Sequence, residues 1–392
     1  MKIVRVETLI HPDGPIPALT FVRLFTDDGA VGLGETFYTP RSVVTYVHEV
    51  IAPLILGKDV TSEGWDWDDV YGRSARRVPG GVDLRAQSAV DLAVWDLRGK
   101  VLGRPVSDLL GVAQPGGARV YCTSAGLRYA TATSVSRGSS DPGDDLWLAQ
   151  NDPGALASSL LSEGFVGLKL WPFDAAARED QGARIDSAGL ARGVATLTKI
   201  RDAVGDSIEI MLEGHGLWQV PAAAKILGAI EHLDITWAED MVLAHDPFSL
   251  ASLAARTSIP LGASEYVGGR WAYRQLLESG GVGYLHLDPS WCGGISEAQK
   301  ILALASSFGI TASMHDCTGP MNLLAGLHLA RANSIVGYQE VLRAFLNDVY
   351  PTVVDTDWSL ENGRLRAPDR PGLGAELTPK FLKDATSQIS AG

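Results

Sequence analysis

Apolar and polar residues alternate from Ile3 to Ile10, from Ala18 to Thr26 and from Val31 to Glu35, with Asp27-Asp28-Gly29 before the last run. That period of two predicts an antiparallel meander closed by a tight turn. The period then changes. Ala86, Ala89, Val90, Ala93, Val94 and Leu97 recur at helical spacing, which predicts a one-sided helix over Gln87 to Lys100, ended by Gly103 and Pro105. From Arg119 onward, short apolar runs alternate with helical stretches: Arg119 to Thr123, Gly167 to Trp171, Ile208 to Glu213, Ile235 to Glu239, Pro260 to Glu265, Tyr284 to Asp288, Ile310 to His315 and Ser334 to Glu340. Ser296 to Phe308, with Ala298, Ile301, Leu302 and Ala305 on one stripe, illustrates the helices between them. Strands alternating with helices are parallel, and eight such units are the count of a TIM barrel. Beyond Phe345 the chain turns rich in Pro and Gly around one hairpin-like piece, Trp358 to Leu365, and is expected to return to cover the first domain. The expected division is 1–117, 118–344 and 345–392, with the polar stretch Ser134 to Asp145 as a surface loop.

In such a barrel the chemistry sits where the strands end. The second to eighth strands end on Lys169, Glu213 with His215, Glu239, Glu265, Asp288, His315 and Glu340, and from Glu213 onward these lie 23 to 27 residues apart, one strand-helix unit each. Lys169 to Glu213 is longer, which an inserted loop around Ala175 to Gly193 explains. Alternation along a strand puts Lys169 on one face with Gly167 and Trp171, and Glu213 on one face with His215 and Met211, so the charged groups converge. Alone, each is a solvated rim residue. Together, three carboxylates from consecutive strands, Glu213, Glu239 and Glu265, repel one another unless a cation joins them, and their hard oxygens suit Mg²⁺. The remaining histidines, His11, His48, His232, His245, His286 and His328, are read as structural or solvated.

Composition narrows the partners. The 392 residues are 46% hydrophobic, enough for a large core, and carry a net charge of −13, which disfavours nucleic acid and anionic membrane surfaces. Neither a cleavable leader nor an apolar run long enough to span a bilayer is evident, so a cytoplasmic location is expected. Three cysteines, Cys122, Cys292 and Cys317, with no CxxC pair suggest neither a disulfide framework nor a structural zinc site.

Longer motifs then stand out: AVGLGET at 30–36, AQSAVDLAVWDLRGKVLGRPVSDLLG at 86–111, GFVGLKLW at 164–171, LHLDPSWCGGISEAQK at 285–300 and PGLG at 371–374. With the strand ends, they resemble the mandelate racemase branch of the enolase superfamily over nearly the whole chain. The resemblance implies an α+β capping domain made from both chain ends, a modified (β/α) barrel, Mg²⁺ on Glu213, Glu239 and Glu265, and removal of a proton alpha to a carboxylate. It also implies that Lys169 is the second-strand lysine, Asp288 and His315 the sixth-and-seventh-strand pair, and Glu340 the eighth-strand acid. The branch commonly has K-x-K on its second strand, where this chain reads Lys169-Leu170-Trp171, a departure that argues against a two-base racemase. A second departure is Glu213, where Asp is commoner. His215 resembles the histidine that protonates the departing hydroxyl in the branch's sugar acid dehydratases. The expected reaction is Mg²⁺-dependent loss of water from a sugar acid to a 2-keto-3-deoxy acid. Racemisation, epimerisation or cycloisomerisation through the same enolate and a catalytically idle binding protein are the alternatives. Trp171 and Trp218 are expected to line the distal end of the substrate, under capping loops near His11 to Pro17 and Phe37 to Arg41. The expected partners are a small acid sugar and further copies of the chain in a homo-oligomer.

Overall fold

The computed structural model describes residues 1–61, 67–74, 80–111, 116–131, 134–135, 139–178, 180–357 and 359–392. Its capping sheet has four antiparallel strands in the order Thr386–Ala391, Ile3–Ile10, Leu19–Thr26, Val31–Phe37, so the last residues of the chain complete the sheet that the first begin. The helix Val82–Leu102 packs on Val31–Phe37, and the glycines of the AVGLGET motif explain how. A Cβ on Gly34 would come 2.0 Å from the Ala89 carbonyl oxygen, and one on Gly32 2.1 Å from that of Ala93. Only hydrogen fits between strand and helix there.

The barrel strands are Ala118–Thr123, Gly167–Leu170, Glu209–Glu213, Ile235–Glu239, Leu261–Ala263, Tyr284–Leu287, Thr311–Met314 and Val336–Val341. Each runs parallel to the next, and the eighth closes on the first with Glu340 opposite Tyr121. Short strands with helices on the outside are buried on both faces, which is why they read as apolar runs. Tyr121, Met211, Trp237 and Tyr338 fill the interior. Cap and barrel meet through Asp91, which accepts from the Ser296 backbone N–H at 2.8 Å and its hydroxyl at 2.7 Å, joining the 86–111 motif to the 285–300 motif.

Several element bounds differ from expectation. The cap helix starts at Val82, five residues before the expected start at Gln87, because Leu84 and Ala86 bury with the stripe and extend it by a turn, although Asp83 and Arg85 interrupt the apolar run in the sequence. Residues 187–193, read as inserted loop, begin the helix Ser187–Val204, capped by Asp186. Ser134–Val135 pairs as a short ribbon with Ala130–Thr131. In the tail, Arg364–Leu365 extends the barrel sheet at Ala118 and Arg119, while Thr386–Ala391 joins the cap. Trp358, where the hairpin was expected to start, lies outside the described residues.

His328 shows what a structural histidine looks like. It is fully buried; Nδ1 accepts from the Ser107 backbone N–H at 3.2 Å, which leaves Nε2–H to donate to the Leu373 carbonyl at 3.3 Å. Burial pushes it down to about 4. A depressed folded-state value means its stabilisation is complete above the unfolded value near 6.5 and is lost as the pH falls through about 4. Urea unfolding at pH 7 and pH 4.5 should therefore show a smaller acid loss in His328→Gln than in the native protein, by on the order of 2 kcal/mol. Equal acid losses would contradict this.

Candidate active site

Parallel register brings the polar strand ends together at one mouth of the barrel: Lys169 stands beside Thr123, and Glu213 beside Glu239. The Lys169 ammonium lies 3.3 Å from Glu213 Oε2, 2.9 Å from Glu239 Oε2 and 3.0 Å from Glu340 Oε1, all of them buried. Burial alone would lower its pKa, but the charges of Glu239 and Glu340, and then Glu213, outweigh that and hold it well above the usual lysine range. Glu340 Oε1 also accepts from the Thr123 hydroxyl.

Glu213 and Glu239 close the third and fourth strands, Glu265 lies two residues past the end of the fifth, and the three environments differ. Burial and then the charge of Glu239 raise Glu213 to about 7. Burial also raises Glu265, against the opposing pull of His315. Glu239 goes the other way, because His286 and Lys169 overcome the burial penalty. Its Oε1 is 2.6 Å from His286 Nδ1, a close contact without hydrogen-bond alignment. His286 is thus not the bystander expected from sequence. It lies in the barrel interior against a carboxylate of the cluster, two residues before Asp288 and on the same face of the strand.

A divalent cation suits this donor set. Burial, and then the charge of Glu239, raise Glu213 and Glu265, and Glu265 Oε2 is buried with no hydrogen-bond partner. Among the described residues no three donors already surround one point closely enough to hold a metal; Glu213 and Glu239 face the Lys169 ammonium instead.

Two histidines flank the cluster, each tied to an aspartate. His315 follows the seventh strand, and its Nδ1 is 2.7 Å from Asp288 Oδ2, leaving Nε2 toward the pocket, 3.3 Å from Cys317 Sγ. Burial works against its charged form, but Cys317, Glu340, Glu265 and the Asp288 hydrogen bond prevail and raise its pKa well above the usual histidine value. His215 follows the third strand, and its Nδ1 is 2.8 Å from Asp174 Oδ2. Third and seventh strands lie four places apart in a closed ring of eight, so the two imidazoles face each other across the barrel mouth. His215 has φ 48°, a left-handed backbone that a non-glycine residue adopts at a cost, and its own N–H donates to Glu213 Oε1 at 2.6 Å. Asp174 carried no signal in the sequence, since it sits in a short helix outside the strand-end pattern.

Both histidines, Lys169, Glu213, Glu265 and Glu340 line one narrow pocket. Phe37 and Tyr38 close it from the cap, as expected of that loop, together with Tyr129, Trp171, Tyr266 and Trp291. The Trp171 ring is 5.3 Å from that of His215. Trp218 is not part of this lining; it is buried where the chain packs on Gly182. His11 is likewise absent from it and packs on Phe381. A larger cavity of about 750 Å³ beside Arg343 shares only Tyr129 with the pocket and contains neither histidine–aspartate pair.

Residues 154–381 match the family described as Enolase C-terminal domain-like, and residues 17–111 match the N-terminal domain of mandelate racemase / muconate lactonizing enzyme. The chain belongs to this enolase superfamily family. A D-galactonate dehydratase of Ralstonia nicotianae is 31% identical over 384 residues, 96% of this chain and 92% of that protein. A D-galactonate dehydratase of Xanthomonas euvesicatoria is 30% identical over 391 residues, covering 98% and 94%. An enolase of the mandelate racemase subgroup from Agrobacterium tumefaciens, crystallised with sodium and phosphate, superposes with a TM-score of 0.86 at 35% identity over 100% of this chain and 99% of that one. No helix among the described residues is long and apolar enough to cross a membrane.

Proposed function

We propose that the protein is a hydro-lyase that removes water from a sugar acid, giving a 2-keto-3-deoxy acid. The observation that carries this reading is the pair of facing histidines, Asp288–His315 and Asp174–His215, on opposite sides of one acidic cluster. The D-galactonate dehydratases among its relatives support the same reaction class.

Dehydration makes two demands on side chains. A base must take the C2 proton, and an acid must protonate the C3 hydroxyl as it leaves. His315 is the base in this account: Asp288 engages Nδ1, so Nε2 is the nitrogen presented to the substrate, and a cation held by Glu265 would offset one of the carboxylates that favour its charged form. His215 is the acid, oriented through Nδ1 by Asp174. Lys169 is unsuited to accept a proton, because the surrounding carboxylates keep it charged; it contributes positive charge beside the carboxylate end of the substrate. Glu340, the eighth-strand acid, is engaged by Lys169 and Thr123, so it serves to hold the lysine in place. Glu213, Glu239 and Glu265 would hold Mg²⁺, which supplies Lewis-acid stabilisation of the negative charge that builds on the substrate carboxylate. As the C2–H bond breaks, its electrons enter the enolate. They then expel the C3 hydroxyl, which takes a proton from His215 and leaves as water, and the resulting enol tautomerises to the keto acid.

Incubation with D-galactonate and other monoacid sugars plus Mg²⁺ tests this reading: a 2-keto acid should accumulate and should stop on chelation. Full activity after chelation would remove the metal, and no keto acid from any acid sugar would remove the reaction. Glu239→Gln should lose turnover. Loss of a mere outer-shell partner weakens metal binding roughly 10- to 100-fold, so loss of a direct ligand should weaken it at least about that much, read by Mg²⁺ titration. An unchanged titration would exclude Glu239 as a ligand.

A further inference from the structure

The base pair is held from outside the pocket by a buried network that starts in the cap. Glu35, at the end of the AVGLGET strand, is wholly buried, and its Oε1 accepts from the Asn322 backbone N–H at 2.7 Å. It thereby sits at the first turn of the helix Pro320–Ala332, where a carboxylate meets unpaired N–H groups. A Cβ on Gly319 would fall 2.4 Å from Glu35 Oε1, so glycine is what admits the carboxylate there. Asn322 in turn spans the catalytic elements. Its Nδ2 donates to the His315 carbonyl at 2.9 Å and to Asp288 Oδ2 at 3.2 Å, and its Oδ1 accepts from the Ser290 N–H at 3.0 Å. A second route leaves the next cap residue: the Thr36 hydroxyl donates to the Ser290 carbonyl at 2.7 Å, and the Ser290 hydroxyl donates to Asp288 Oδ1 at 2.7 Å.

We propose that Glu35 and Asn322 are positioning residues that fix the Asp288–His315 pair, so that the capping domain sets the aim of the base in addition to covering the substrate. Neither residue lines the pocket. Both oxygens of Asp288 are engaged by groups that the cap strand holds in place, and the His315 main chain is pinned by the same amide that holds its partner. A buried polar network of this kind is costly when broken and rigid when complete, and displacement of a reacting group by about 1 Å can cost on the order of 100-fold in rate.

The inference rests on His315 being the base, and the test separates the two. C2-proton exchange into deuterated solvent is measured for Asn322→Ala, Glu35→Gln and Thr36→Val in the full-length protein with Mg²⁺ and D-galactonate, beside His315→Asn. Expected is a fall of about 10- to 100-fold in the exchange rate constant for Asn322→Ala, and a smaller one for Glu35→Gln, with KM and Mg²⁺ activation little changed. The doubly substituted Glu35→Gln/Asn322→Ala protein should lose less than the product of the single effects, because both act through one chain of contacts. Should Asn322→Ala fail to fold, Thr36→Val, which keeps the side-chain shape, still reads the second route. The downfield proton resonance of His315 Nδ1–H gives a readout without substrate, and it should shift or broaden in each folded variant. If His315→Asn retains exchange, the base is elsewhere and that assignment falls first. If His315→Asn loses exchange while the folded variants exchange at the native rate with the native resonance, the positioning role alone is overturned.

Discussion

His315→Asn is expected to abolish both keto-acid formation and C2-proton exchange, each by about 10² to 10⁴ or more, the usual range for one acid–base group. Asparagine retains a polar group near Asp288 but offers no basic nitrogen to the pocket. The structure adds the reason no neighbour should take over. The nearest candidate, Lys169, is surrounded by three carboxylates within 3.3 Å that hold it protonated, and the second lysine common in this branch is replaced by Trp171. Exchange that survives in the variant would reassign the base, with Lys169 the first to test. Product formation and solvent-deuterium incorporation, measured on one sample, decide the matter.

His215→Asn should split what His315→Asn removes together. Elimination should fall by about 10² to 10⁴ while exchange through His315 continues, since enolisation and protonation of the leaving group fall to separate side chains. Asparagine suits the position, because it tolerates the left-handed backbone that His215 adopts at φ 48°. The rival role for His215, orienting Glu213, is served by its backbone N–H at 2.6 Å, and that bond survives the substitution. A parallel loss of exchange and elimination would therefore mean that the imidazole itself supports the metal cluster. An untouched elimination rate would mean that it supports neither.

Much of this arrangement was readable in the sequence, and the limits are physical. Barrel strands buried on both faces announce themselves as short apolar runs, and polar residues at their ends recur once per strand-helix unit, so the residues from Lys169 to Glu340 were found from spacing and parity. The same parity points His286 inward with Asp288, and its contact with Glu239 was missed only because a lone histidine inside an apolar strand was given its commoner meaning. Asp174 and Asn322 are a different case. Each reaches its histidine or aspartate from a helix, across 41 and 34 residues of chain, and periodicity carries no record of such meetings. Glu35 lies 287 residues from Asn322 in the other domain, and its motif was legible only as a resemblance until Gly32, Gly34 and Gly319 showed what the close approaches require. Trp218, expected at the distal end of the substrate, is instead carried by the turn after His215 into the core against Gly182.

Dehydration is the central claim, and the most direct measurement is the mass of the product formed from a sugar acid in deuterated solvent with Mg²⁺. The account predicts a product lighter than the substrate by one water, with solvent deuterium at C3 from ketonisation of the enol. A product that keeps every oxygen and differs only by deuterium at C2 would contradict it and make the protein an isomerase working through the same enolate.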